Sequence, residues 1–193
     1  MDFFRDDRGL PLYLHLFTVM RLSHFAILLA ILCLVVGEAS AVQEMKPPFG
    51  MTWGASQKSV EKILLGTKAK IVGRKDLKGR TAVEVEGIPQ QHLLKALFYF
   101  DSDALSEIEL QYGCAEWDSA RSNDFWDGAK NNIDSKYGVG RLVAHEKTRE
   151  NDIKQSLTGY QWAQAYMSLR LFLYTAEKDA DFLQRVSLHY KQM

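Results

Sequence analysis

The chain has 193 residues, with 24 basic and 24 acidic side chains. A charge balance this even, without a run of Lys or Arg, argues against nucleic acid as a partner, because a phosphate backbone demands clustered positive charge. The same evenness leaves no acidic tail and no polybasic patch for a membrane surface.

In residues 1–19, Asp2, Asp6 and Asp7 outnumber Arg5 and Arg8, whereas an export signal opens on a basic stretch. The pattern fits from Met20 onward. Arg21 supplies the positive charge, Phe25 to Val36 is an uncharged apolar run, and Ala39-Ser40-Ala41 is the small-x-small pattern of a cleavage site. Residues 1–41 are therefore predicted to carry a cleavable export signal whose true start is Met20. Cleavage after Ala41 leaves a mature chain that begins at Val42. A membrane anchor is the competing reading, but a spanning helix needs about 20 apolar residues, and Gly37 and Glu38 interrupt this run first. Lipidation at Cys33 is disfavoured because the bulky Leu32 precedes it. The expected product is a soluble periplasmic or secreted protein with no stable membrane anchor.

Beyond Ala41 the chain is long enough for one domain with a sizeable core, or for two small units sharing one. Cys114 is then the one remaining cysteine, so no internal disulfide can form. A lone small thiol with no neighbouring His reads as a buried apolar filler.

After Met45-Lys46-Pro47-Pro48-Phe49-Gly50, a short amphipathic helix is predicted from Ser56 to Gly66. Ser56 caps it, Val60, Ile63 and Leu64 share a face, and Gly66 supplies a left-handed stop. Strand-like runs follow at Ala69–Arg74, Thr81–Glu86, Leu93–Phe100 and Leu105–Tyr112, separated by turn residues such as Lys78-Gly79 and Asp101-Ser102-Asp103. In the last run Ile108, Leu110 and Tyr112 alternate with Glu107, Glu109 and Gln111, the mark of an antiparallel sheet with one wet face.

A second helix is predicted from Ser119 to Lys136, capped by Asp118 and stopped by Gly138, with Trp126, Ala129, Ile133 and Tyr137 on one face beside Phe125. Four more strand-like runs follow: Arg141–His145, Gly159–Gln164, Leu169–Thr175 and Arg185–Tyr190. The polar stretch Glu146–Ser156 reads as a mobile loop, and Ala176–Leu183 as a second, longer one. Each half reads as a helix and four strands. Leu97-Phe98-Tyr99-Phe100 matches Leu171-Phe172-Leu173-Tyr174, and Ile108–Tyr112 matches Val186–Tyr190, at nearly the same offset. The expected fold is α+β: an antiparallel sheet packed on two helices, built as a tandem α-β4 repeat over residues 50–113 and 117–193 of a single domain, 42–193.

The segment Gly54-Ala55-Ser56-Gln57-Lys58-Ser59-Val60 through Gly66 resembles the Gly-Met-Thr-x-x-x-Val…Gly opening of small envelope domains. Those belong to the SmpA/OmlA (BamE-like) family and to the β-lactamase inhibitor protein. Ala55 stands in place of Met, the closing Gly comes one residue later, and the second helix lacks the motif. The resemblance implies a helix followed by antiparallel strands in an extracytoplasmic setting. It transfers neither a partner nor an inhibitory activity.

Chemistry is sparse in the sequence. His92, His145 and His189 are isolated, so no metal site and no cofactor are expected. Gly138-Val139-Gly140 follows a helix rather than opening one, which makes it a helix stop and not a phosphate loop. Asp124 and Asp127 read as a solvated helical face beside Arg121 and Lys130, and no Ser-His-Asp or Gly-x-Ser-x-Gly pattern appears. The remaining candidate is the outward sheet face, where alternation places Tyr99, Arg170, Phe172, Tyr174, Arg185 and His189 with Glu107 and Glu109. Aromatics mixed with Arg favour binding. The expected function is an exported, non-catalytic protein that binds another envelope protein as an assembly factor, inhibitor or immunity protein. The alternatives are a small periplasmic hydrolase with a loop-built site, or a purely structural envelope component.

Overall fold

The computed structural model describes residues 44–114 and 116–193. The predicted export segment, its start at Met20 and its cleavage after Ala41 lie outside the described residues. Among those that are described, no helix is long and apolar enough to cross a membrane.

Local chemistry starts both helices. In α1 (Gln57–Leu65), the Ser56 side chain accepts from the Ser59 amide at 3.3 Å. In α2 (Ser119–Tyr137), Asp118 accepts from the Arg121 amide at 2.8 Å. Each contact satisfies a donor that the first turn leaves free. Gly138 ends α2 with a φ of 83°, a conformation that glycine adopts at little cost. Gly66 differs from expectation: it stays in the right-handed helical region, with φ −69°. Val60 and Leu64 bury the face of α1, whereas Ile63 is 41% exposed.

The eight strands are β1 (Lys70–Leu77), β2 (Arg80–Glu86), β3 (Leu93–Asp101), β4 (Ala104–Tyr112), β5 (Arg141–Glu150), β6 (Ile153–Gln164), β7 (Met167–Lys178) and β8 (Asp181–Gln192). They form one sheet in the order β1-β2-β3-β4-β8-β7-β6-β5, antiparallel throughout. Two four-strand meanders thus meet along their last strands, with Ile108 opposite Tyr190 and Leu110 opposite Leu188. Tight turns close the hairpins. Lys78-Gly79, Ser102-Asp103 and Asn151-Asp152 each have positive φ at both central residues, the geometry whose twist suits a two-residue hairpin.

This corrects the expected α+β class. The structure is predominantly β: strands of 7 to 12 residues dominate, against helices of 9 and 19. The segments read as loops account for the difference. Glu146–Ser156 is the β5–β6 hairpin, in which Glu146 faces Leu157 and Glu150 faces Ile153, and Ala176–Leu183 is the β7–β8 hairpin. Each half runs as one helix followed by four strands, and the two halves share a core. Val60 and Leu64 of α1, Trp126 and Ile133 of α2, and the inward residues of both meanders make a single cluster, with Phe98, Ile108, Leu110, Leu169 and Leu171 at its centre. Both helices therefore lie on one side of the sheet.

Gly128, in the middle of α2, has nothing within 4 Å of where a Cβ would stand. Gly128→Ala should therefore stabilise the protein by about 0.5–1 kcal/mol. A rise in the thermal midpoint would report it, and a fall would mean that the open position serves some other contact.

Candidate functional site

Sheet register builds a continuous row across the helix-free face: Glu84, Leu97, Glu109, His189, Arg170, Gln161 and Arg141, on β2, β3, β4, β8, β7, β6 and β5 in turn. The row on one side pairs Tyr99 with Glu107, and the row on the other runs Lys95, Gln111, Ser187, Phe172 and Gly159. Period-two alternation sends these side chains away from the core that their strand neighbours fill. All six sequence-predicted site residues lie on this face. His189 is opposite Arg170, Tyr174 is opposite Arg185, Phe172 lies between them on β7, and Tyr99 is two strands away on β3.

The β2–β4 side of the face is a closed polar network. Arg80 lies between two carboxylates, with Nε 2.9 Å from Asp101 Oδ1 and Nη2 3.1 Å from Glu107 Oε2. Its guanidinium also sits 4.8 Å from the centre of the Tyr99 ring. Tyr99 donates its hydroxyl proton to Glu109 at 2.8 Å, and Gln111 donates to the other Glu109 oxygen at 2.6 Å. Lys95 pairs with Glu84 at 2.6 Å. The charges tune one another. Burial pushes the Glu107 carboxyl up, but hydrogen bonds from His189 and Arg80, together with their charges, outweigh it and hold the group below its ordinary value. The Tyr99 hydroxyl is pushed up, first by burial and then by the negative charge of Glu109.

A folded-state pKa below the unfolded value contributes stability above the unfolded value, near pH 4, and loses it as pH falls through the folded one. Glu107→Gln should accordingly cost about 1–2 kcal/mol at neutral pH, a gap that closes on acidification below about pH 4. Unfolding of both proteins from pH 7 to pH 3 checks this; a gap that stays constant would mean that shape rather than charge carries the contribution.

The network holds one arrangement that the sequence hid. Ser187 Oγ is 3.1 Å from His189 Nε2, and His189 Nδ1 is 3.4 Å from Glu107 Oε1, a Ser-His-Glu chain assembled across β8 and β4. Sequence reading missed it because Glu107 and His189 are far apart in the chain and meet only through the β4–β8 register. Acyl transfer would also need donors aimed at an oxyanion. Here β8 is hydrogen-bonded to β4 on one side and β7 on the other, so its amides are committed to the ladders, and the nearby Gln111 amide is held by Glu109.

On the β5–β7 side Phe172 is fixed rather than free. Its ring lies across Gly159, where a Cβ would come within 2.5 Å of it, and meets His189 edge-on at 5.3 Å between centres. A depression of about 500 Å³ beside it is lined by Arg141, Leu142, Val143, Gln161, Arg170 and Phe172. Arg141 and Gln161 were absent from the sequence-based set, because nothing in the local pattern fixes which strands neighbour β7.

Elsewhere the chemistry is structural. A recess of about 560 Å³ lies under α2, lined by residues that include Tyr112, Ile133, Leu188 and Tyr190. Burial pushes the Tyr112 hydroxyl up to about 12, although the hydrogen bond from Gln90 opposes it. Gly138-Val139-Gly140 is a buttressed helix stop. Asp134 accepts from the Gly140 amide at 2.8 Å, from the Trp162 indole at 3.0 Å and from Lys130 at 2.6 Å. Lys130 thus pairs with Asp134, while Asp124 and Asp127 are exposed. Cys114 is exposed, contrary to the expectation of a buried filler, because it follows β4 on the connection toward α2 rather than lying within a strand. His92 packs at a tilt against Trp117 with centres 4.9 Å apart, His145 lies on the exposed edge strand β5, and no group of three potential metal ligands comes together among the described residues.

No family model matches this chain, and no curated protein or solved structure matches it at a significant level.

Proposed function

We propose that the chain is an exported, non-catalytic binding protein of the bacterial envelope, which engages another protein through the helix-free face of its sheet. The observation that carries this reading is the pre-ordered state of that face. Tyr99, Glu107, Glu109, Gln111 and His189 are already held by one another and by Arg80, and Phe172 is held against Gly159 and His189. Side chains fixed before association lose less rotamer entropy when a partner arrives. Aromatic and Arg groups are also the ones that dominate interface energetics.

Affinity capture from an envelope extract tests the reading, with Tyr99→Ala, Phe172→Ala and Tyr174→Ala compared against Lys58→Ala on the exposed side of α1. A specific partner lost with the face variants and kept with Lys58→Ala is the expected result. Capture indifferent to all three face changes would sink the choice of face.

A second reading, a small periplasmic hydrolase, has the Ser187-His189-Glu107 chain in its favour. Covalent labelling of Ser187 by a fluorophosphonate, abolished by His189→Ala, would replace the binding reading with this one.

A further inference from the structure

We propose that Arg141 and Arg170 form a clamp for carboxylates, through which the helix-free face receives an acidic segment of its protein partner. This deepens the reading of the face as a protein-binding surface and rests on it. Charge on the face is divided. On the β2–β4 side each cation has an anion: Arg80 has Asp101 and Glu107, and Lys95 has Glu84. On the other side Arg141 and Arg170 have no carboxylate within ion-pair distance among the described residues.

Register puts the two arginines together. Arg141 is opposite Gln161, and Gln161 is opposite Arg170, so their Cα atoms are about 10 Å apart across two strand spacings. Two long side chains can close that gap onto one acceptor. Both border the same depression of about 500 Å³, with Gln161 between them as a further hydrogen-bonding group. In addition, Arg170 Nε is buried without a hydrogen-bond partner. A buried donor left unmade is costly to the fold, and it marks Arg170 as a side chain whose hydrogen-bonding capacity its described surroundings do not meet. Arg80 Nε also lacks a well-directed hydrogen bond, but it has Asp101 at 2.9 Å; Arg170 has no such counter-charge among the described residues.

The walls select a peptide over a bare anion. Leu142, Val143 and Phe172 line the same depression, and Leu142 and Val143 are exposed. A free phosphate would leave them wet, whereas a segment that alternates acidic and apolar side chains would cover them while its carboxylates meet the planar guanidinium forks. Among the described residues β5 is the edge of the sheet, with no strand beyond it on that side.

The test uses the purified full chain and three probes: a short peptide alternating glutamate and leucine, its glutamine counterpart, and inorganic phosphate. Binding is read from the arginine Nε–H signals and from anisotropy of labelled peptide. The glutamate peptide should bind at least roughly tenfold more tightly than either other probe, and added salt should weaken it. Arg141→Gln and Arg170→Gln should each lose roughly tenfold, with Lys58→Gln unchanged. Arg170→Gln should unfold at or above the wild-type temperature, because it removes an unsatisfied buried donor; a lower midpoint would make Arg170 a structural residue and overturn the clamp. Equal binding of the two peptides, or phosphate binding as tightly as the glutamate peptide, would also overturn it. A captured protein partner lost on Tyr99→Ala but indifferent to both arginine changes would remove the clamp and leave the binding reading standing. Glutamate-peptide binding with no protein partner for the face would do the reverse.

Discussion

Trp162→Ala is expected to destabilise the protein by about 3–5 kcal/mol, the range for emptying a large buried aromatic site. The indole is 3% exposed and joins the core through contacts that include Tyr160, 6.4 Å away between centres. Its ring also lies against Gly140, where a Cβ would meet it at 2.5 Å, and its N–H donates to Gly138 O at 2.8 Å and Asp134 Oδ1 at 3.0 Å. One side chain thus ties the end of α2 to the start of β5. Trp162→Phe separates the two contributions by keeping most of the apolar contact while removing the donor, and should cost about 1–3 kcal/mol. Gly140→Ala should be harmful for the reciprocal reason, since the indole would have to move. Asp134 adds acid sensitivity. Burial raises its carboxyl, but hydrogen bonds from Lys130, the Gly140 amide and Trp162 pull it below the ordinary value. Its contribution is therefore present at neutral pH and lost on acidification below about pH 4. Denaturant unfolding of the three variants checks the order; Trp162→Phe as damaging as Trp162→Ala would mean that the hydrogen bonds outweigh the packing.

Phe172→Ala is expected to weaken partner binding by at least about 2 kcal/mol, close to 30-fold, the scale of an aromatic anchor at an interface centre. Phe172 joins the two chemistries of the face: its ring touches His189 of the acidic network and lines the arginine depression. Its removal also uncovers the Gly159 backbone, so some stability should go with it. Phe172→Leu isolates the binding effect, because a branched apolar side chain still covers Gly159 but presents no ring edge to His189. Affinity for the captured partner, measured beside the unfolding midpoint of each variant, decides between the two contributions. Full binding by Phe172→Ala would exclude the ring as an anchor.

The helices were legible because their ends are written locally. Ser56 and Asp118 are capping residues, Gly138 is a stop, and the Trp126, Ala129, Ile133 and Tyr137 spacing marks a face. The strands β2, β3, β4, β7 and β8 were legible where burial on one face imposes alternation, most plainly from Glu107 to Tyr112. β5 was misread beyond His145 because it is an edge strand exposed on almost every residue, and a strand wet on both faces has no pattern to display. Its turn signal, Asn151-Asp152, was present but sat inside a polar stretch that already resembled a loop. The same omission hid how strongly β the molecule is.

By itself, then, the sequence determined where helices begin and end, which strands have a dry side, and that Arg170, Phe172 and Tyr174 on one strand, and Arg185 and His189 on another, point away from their apolar neighbours. It could do so because capping and alternation act between residues a few positions apart. Only the tertiary structure decided that β4 pairs with β8. That contact brings His189 to Glu107, sets the two meanders in one sheet over one core and leaves Arg141 and Arg170 across from a network already neutralised. Register between distant strands is chosen by how the whole apolar surface packs, and no local run of residues encodes it.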